Sequence, residues 1–255
     1  MRTDHHDRIV DQFTRQAAGF ASAPAIRDQE FLGRIVRIAE TGAHDTVLDV
    51  ACGPGLLACA FARAALHVTG IDLTPAMLEQ ARILQREQAL QNVAWMQGDV
   101  LPLPFDDGAF SIVTARFAFH HFLDPLAVLR EMRRVCKTGG RVVVADSAPA
   151  PEKAEAFNEM ERLRDPSHVR AMPMDELRNL FRTAGLPEPR VETYGMKAEL
   201  EGLLQRSFPE KGGADRIREI FENSLAGDTL GMATRRKKGT IVLVYPIAIL
   251  ASRLA

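Results

Sequence analysis

Three aspartates stand where strands should end, and each suits a different part of one ligand. Thr46-Val-Leu-Asp-Val-Ala-Cys-Gly-Pro-Gly-Leu-Leu57 begins with an apolar run, Val47 to Val50, the pattern of a buried parallel strand. A glycine turn follows, then an Ala/Leu-rich helical segment from Leu56 to Ala65. Asp49 is a carboxylate at the end of that strand, just before the turn. His67-Val-Thr-Gly-Ile-Asp72 reads as a second strand closing on Asp72, close to the position about 20 residues on where a carboxylate grips a ribose diol. A third strand, Val93 to Gln97, runs into Gly98-Asp99-Val100, and Asp99 suits an adenine amine. A single such aspartate is commonly a helix cap or turn residue. Three at successive strand ends, one beside a glycine loop, mark a ligand crevice.

The charge at the crevice narrows the ligand. Gly53-x-Gly55-x-x-Ala58 formally matches the loose dinucleotide fingerprint. Asp49, however, would repel a pyrophosphate at the helix N-terminus and hold an ammonium group. S-adenosylmethionine (SAM) has that pattern: an amino-acid tail, a ribose and an adenine, with no phosphate. The glycines remove Cβ atoms so that backbone and ligand approach closely. The plain alternative is a tight turn with nothing bound.

These residues also carry a resemblance. Leu48-Asp-Val-Ala-Cys-Gly-Pro-Gly55, Gly70-Ile-Asp-Leu-Thr-Pro-Ala-Met77 and Gly98-Asp-Val-Leu-Pro-Leu-Pro-Phe105 resemble class I SAM-dependent methyltransferases of the type 11, ubiquinone-biosynthesis-like group. Phe110-Ser-Ile-Val-Thr-Ala-Arg-Phe-Ala-Phe-His-His121 and Leu129 to Gly140 continue the match. The resemblance implies an α/β fold: a Rossmann-like, doubly wound, seven-stranded, mostly parallel sheet with an antiparallel last strand and a helical cap. It implies SAM as cofactor and S-adenosyl-L-homocysteine (SAH) as product. The methionine half would lie on Asp49, Ala51, Gly53 and Gly55. Asp72, Leu73 and Met77 would line the ribose, and Gly98, Asp99 and Val100 the adenine. Arg116 either touches the cofactor's carboxylate or packs near it.

SAM arrives with its methyl already activated, so the protein chiefly aligns a nucleophile and excludes water. An oxygen or nitrogen acceptor also needs a proton removed, a task suited to histidine. His120 and His121 follow the fourth strand, beside the methyl end in the resembled family; one acts as base or substrate ligand, or both merely hold the loop. His168 and Arg170 either contact a polar or anionic substrate or fix the lid. Phe13 and Phe20 lie on one face of an N-terminal helix that is either plain packing or a flap whose aromatic covers the cofactor.

Absences exclude other chemistries. No Asn/Asp-Pro-Pro-aromatic run follows the fourth strand, and no Pro-Cys pair exists, which disfavours DNA-base methylation. Neither Tyr194 nor Tyr245 has a lysine four residues on, so the usual relay of a short-chain dehydrogenase is missing. A net charge of −1 over 255 residues gives no global nucleic-acid signature. Cys52, Cys59 and Cys136 form no CxxC pair, so a reducing cytoplasm is expected and a metal site is not. The charged N-terminus lacks the apolar core of a secretion signal, and Ile241 to Ala251 is too short to span a bilayer. The expected partner is a small organic molecule, with a homodimer possible. Rival readings are an NAD(P) enzyme, a SAM-binding protein without turnover, and an RNA or protein methyltransferase.

The chain order expected is a helical flap over 1–45, a SAM-binding core over 46–146, a lid over 147–235 and a closing strand over 236–255. Gly42 should stop the helix that begins near Ile26, and Lys137 with Gly139-Gly140 the helix from Pro125. Thr74 and Pro75 should start the second core helix, and Asp124 and Pro125 a later one. Arg235-Arg-Lys-Lys238 should flank a strand as a solvated edge guard.

Overall fold

The computed structural model describes residues 2–255; the side chains of residues 1–3, 20 and 22 lie outside the described residues, and the expectation for Phe20 lies with them. Two helices come first, α1 (Arg2–Ser22) and α2 (Gln29–Ile38). Asp28 caps α2 by accepting from the backbone N–H of Glu30 and Phe31. Phe31, Leu32, Ile35 and Ile38, spaced as one helical face, are buried under the sheet, each worth about 1.5–3 kcal/mol of apolar burial.

The alternating core follows: β1 (Thr46–Val50), α3 (Leu56–Ala62), β2 (His67–Asp72), α4 (Pro75–Glu87), β3 (Val93–Gln97), β4 (Phe110–Arg116), α5 (Pro125–Val135) and β5 (Cys136–Ser147). The cap helices are α6 (Ala154–Arg164), α7 (Met174–Thr183), α8 (Leu200–Leu204) and α9 (Gly213–Ser224), interrupted by β6 (Arg190–Glu199). The chain closes with β7 (Arg235–Lys237) and β8 (Thr240–Arg253).

The sheet runs β3-β2-β1-β4-β5-β8-β6, with β7 paired to β8. Strands β1 to β5 are mutually parallel, and β8 is antiparallel to both β5 and β6. Side chains alternate between two cores: Val143 and Ala145 face the layer of α2, α3, α6, α8 and α9, whereas Val142 and Val144 face α5 and α7. This is the expected Rossmann-like sheet with a helical cap. The order reverses beside β1, between β2 and β4, and that is where open α/β sheets bind ligands.

Several details differ from expectation. The sheet has eight strands, because the basic run Arg235–Lys237 itself pairs with β8 as a short, fully exposed hairpin arm. Charged and short, it is still the kind of edge that resists further pairing. Helix α5 stops at Val135; Lys137 and the two glycines already lie in β5. Helix α2 ends at Ile38, and Gly42 instead donates its N–H to Asp45. Thr74 sits at the N-cap of α4, but its hydroxyl caps nothing, and Asp72 Oδ1 takes the Thr74 N–H at 2.8 Å instead. Asp124 does cap α5, accepting from Ala127 N–H at 2.9 Å.

Candidate active site

A cavity of about 790 Å³ opens at the carboxyl ends of β1, β2 and β4, roofed by α1. The β1–α3 turn forms its floor. Ala51, Gly53 and Gly55 all have positive φ, at 53°, 53° and 75°. Ala51 and, after β4, Phe117 (φ 54°) are non-glycine residues in this sparsely allowed region, and both line the cavity. Backbone strain of this kind costs about 1–3 kcal/mol per residue and gathers at binding sites.

The two glycines of the turn do different work. At Gly53 a Cβ would meet nothing within 4 Å, so the open space there belongs to the cavity. At Gly55 a Cβ would fall 2.5 Å from Trp95 Cη2 and 2.9 Å from Ala81 Cβ. Gly70 is likewise pressed, at 2.6 Å, against Trp95. Gly55 therefore makes room for an indole rather than a ligand, and it does not line the cavity. Gly98 does not line it either; a Cβ there would sit 3.2 Å from Ile71 Cδ1.

The three aspartates do meet in the cavity. Asp49 is 1% exposed, and its Oδ2 has no hydrogen-bond partner among the described residues. Burial pushes its carboxyl up to about 7 against the pull of the nearby Arg116 guanidinium. Arg116, also lining the cavity, is lowered to about 10 by burial, with Asp49 opposing, and it donates to the Ile26 carbonyl at 3.0 Å. Asp72 is anchored: Oδ2 accepts from Gly53 N–H at 2.7 Å, so the second aspartate fixes the glycine turn after the first. Burial raises its pKa, and the backbone donors of Thr74 and Gly53 oppose the shift. Asp99 Oδ1 accepts from Leu101 N–H at 3.2 Å, and its Oδ2 lies 3.6 Å from His6 Nε2 of α1. Leu73, Met77 and Val100 complete the apolar wall between Asp72 and Asp99.

The two histidines separate in role. His121 lines the cavity; its Nδ1–H donates to the Ser167 carbonyl at 3.1 Å, which leaves Nε2 as a lone pair. Ser167 Oγ lies 3.2 Å from the same nitrogen and gives its own proton to Asp165 Oδ1 at 2.6 Å. Burial, then the His120 charge, lowers His121 to about 4. His120 does not line this cavity and faces a second, smaller one of about 100 Å³. Its Nδ1–H donates to Asp146 Oδ1 at 2.5 Å. Burial disfavours the imidazolium, but Asp146 outweighs it and the His120 pKa is raised.

His168 and Arg170 line neither cavity. His168 is buried with Nε2 on Asn158 Oδ1 at 2.7 Å, and Arg170 forms an ion pair with Glu176 at 2.6 Å on the outer surface. His168 thus ties the segment that carries Ser167 to α6, and Arg170 ties it to α7.

Two contributors stand outside the glycine turn and the histidine pair. Asp146 closes β5 as Asp49 and Asp72 close β1 and β2, and that shared position is the signal that could have found it. Helix α1 supplies His5, His6, Ile9 and Phe13 to the cavity wall, with the His5 ring on the His121 carbonyl at 2.7 Å and Phe13 edge-on to the His121 ring at 5.0 Å.

Comparison with known proteins settles the kinship. A family model described as a methyltransferase domain matches residues 48–144. The uncharacterized methyltransferase YcgJ of Bacillus subtilis is 34% identical over 213 residues, 82% of each chain. The chain belongs to the class I SAM-dependent methyltransferase family. The crystal structure of YcgJ superposes with a TM-score of 0.77 at 29% identity, over 88% of this chain and 98% of that one. The protein BH2331 of Bacillus halodurans C-125 gives 0.80 at 27% identity, over the same shares. A demethylmenaquinone methyltransferase of Thermus thermophilus is 39% identical over 129 residues, 50% of this chain and 58% of its own.

Among the described residues no group of three or more His, Cys, Asp or Glu has the disposition of a metal site, and no helix is long and apolar enough to cross a membrane. The cysteines are buried and unpaired.

Proposed function

We propose that this methyltransferase moves the methyl of SAM to a small organic molecule, with SAM in the large cavity. The observation that carries the assignment is Asp49: a buried carboxylate oxygen without a partner, facing a cavity of ligand size. Such an atom costs about 1–3 kcal/mol unless a donor arrives, and an amino-acid ammonium is that donor. Arg116 beside it suits the carboxylate of the same amino acid, Asp72 the ribose hydroxyls and Asp99 the adenine amine. When bound, the cofactor supplies a methyl on a sulfonium. The protein's own residues hold its two ends and keep water out beneath α1.

A pyrophosphate would meet Asp49 and Asp72 at the turn that should receive it, which argues against the dinucleotide reading. The match to the demethylmenaquinone enzyme spans half of this chain, so the acceptor has to be argued from this chain's own residues.

Isothermal titration with SAH is expected to give micromolar binding, roughly −8 kcal/mol. Absence of heat at millimolar SAH, with NADH binding instead, would overturn the assignment.

A further inference from the structure

The smaller cavity adjoins the large one at Phe13, Phe117 and His121, which line both. Its apolar lining comes from Ile26, Met196, Ala198 and Leu203. Most of its charged groups are already committed. Glu161 takes an ion pair from Arg164 at 2.6 Å and the Tyr245 hydroxyl at 2.9 Å. Asp165 accepts from both the N–H and the hydroxyl of Ser167, at 2.9 and 2.6 Å.

Three groups remain uncommitted. The Arg206 guanidinium makes no ion pair or hydrogen bond among the described residues, and it lines the cavity. Gln16 is 2% exposed, lines the same cavity, and its Nε2 has no partner. The third is Nε2 of His120. The Nδ1–H bond to Asp146 fixes the imidazole in the tautomer that leaves Nε2 as an acceptor. Asp146 is itself immobilised, taking the backbone N–H of Phe119 and His120 on Oδ2 and of Ser147 on Oδ1. A carboxylate that orients a histidine whose other nitrogen points to a cavity is the arrangement of a general base. Two free donors and one free base call for a ligand that brings one hydroxyl proton and one further oxygen. An amine, cationic at neutral pH, would meet Arg206 with the wrong sign.

We propose that the small cavity is the methyl-acceptor subsite, that its ligand is a small apolar compound with an acidic hydroxyl and a second, anionic or carbonyl oxygen, and that His120 takes the hydroxyl proton. This rests on the assignment of SAM to the large cavity. The acceptor oxygen forms the new O–CH3 bond with a lone pair, the electrons of the broken S–CH3 bond stay on sulfur, and the O–H proton moves to His120 Nε2. Asp146 holds the resulting imidazolium. The groups facing His120 are the rings of His121 at 4.2 Å and His168 at 5.3 Å, Asp146, and the more distant Glu161, Arg164 and Asp165.

The test uses the full chain, histidine-labelled for nitrogen NMR and saturated with SAH, with 4-hydroxybenzoate as probe and benzylamine as control. Expected are the Nδ1–H tautomer at His120, a saturable shift of its Nε2 signal with 4-hydroxybenzoate, and none with benzylamine. Arg206→Gln should weaken the probe about tenfold. Ala198→Leu, which fills the cavity without touching a charge, should abolish the shift. In Asp146→Asn the tautomer preference should be lost. Each variant is titrated with SAH in parallel, and SAH affinity is expected to stay within about twofold, since none of these residues lines the large cavity. A shift with benzylamine alone, or no shift with 4-hydroxybenzoate while SAH binds normally, overturns the acceptor assignment only. Failure of SAH itself to bind overturns the cofactor assignment on which it rests.

Discussion

Asp49 is a carboxylate only 1% exposed, and its behaviour with pH follows from that burial. Its folded pKa, about 7, lies above the ordinary 3.8. The stability it contributes is therefore complete below about pH 3.8 and is lost as pH rises through 7. Asp49→Asn should make the ligand-free protein more stable at pH 8 by about 1–3 kcal/mol in urea unfolding. The same change should cost SAH affinity. In the unmodified protein that affinity should fall as pH drops through about 7, because a protonated Asp49 no longer attracts an ammonium; in Asp49→Asn the slope should vanish. Calorimetry across pH 6 to 8 checks both. Asp72→Ala is expected to weaken SAH by about 1–3 kcal/mol, since it frees the Gly53 N–H as well as removing a ribose partner. Unchanged affinity would place the sugar elsewhere. At this scale the sequence was informative where charge and strand position coincide, as at Asp49, Asp72 and Asp99. It was uninformative for His120 against His121, because only the fold decides that His121 lines both cavities and His120 the smaller one alone.

The β1–α3 turn shows how an element can satisfy two demands with one motif. Gly53 opens onto the ligand space, and Gly55, two residues later, clears the Trp95 ring of β3. Both carry positive φ, so a pattern search cannot tell them apart. Gly55→Ala combines backbone strain with an impossible contact and should cost about 2–4 kcal/mol in denaturant unfolding. Trp95→Leu in the same background should recover part of that loss, and a double-mutant cycle with no coupling would show the indole to be irrelevant. Strand ends, the helix start at Asp124, and the βα rhythm were legible because each rests on local spacing or a local cap. The stop of α5 was not, because β5 takes in Cys136 to Gly140 and overrides the glycine signal.

For the whole molecule, α1 is the element that makes the large cavity an enclosure. It touches the body through α4 and through side chains at the cavity rim, with His5 on the His121 carbonyl and His6 beside Asp99. A ligand of SAM's size has to pass or displace it. Hydrogen exchange over residues 2–22 is expected to slow at least several-fold on SAH binding, while β1, β4 and β5 exchange slowly in both states. Equal rates with and without SAH would mean that α1 does not cover the site. The sequence indicated an aromatic face on this helix and left plain packing and a flap over the cofactor both open, since a helix so far from His121 along the chain carries no local sign of where it will dock.

Strand β8 lies between β5 and β6 and pairs with both along most of its length. It is also the last part of the sheet to leave the ribosome. Until residues 240–253 emerge, β5 presents a bare edge and β6 has nowhere to bind. Without β8, β5 and β6 would expose two sticky β edges in place of one buried seam.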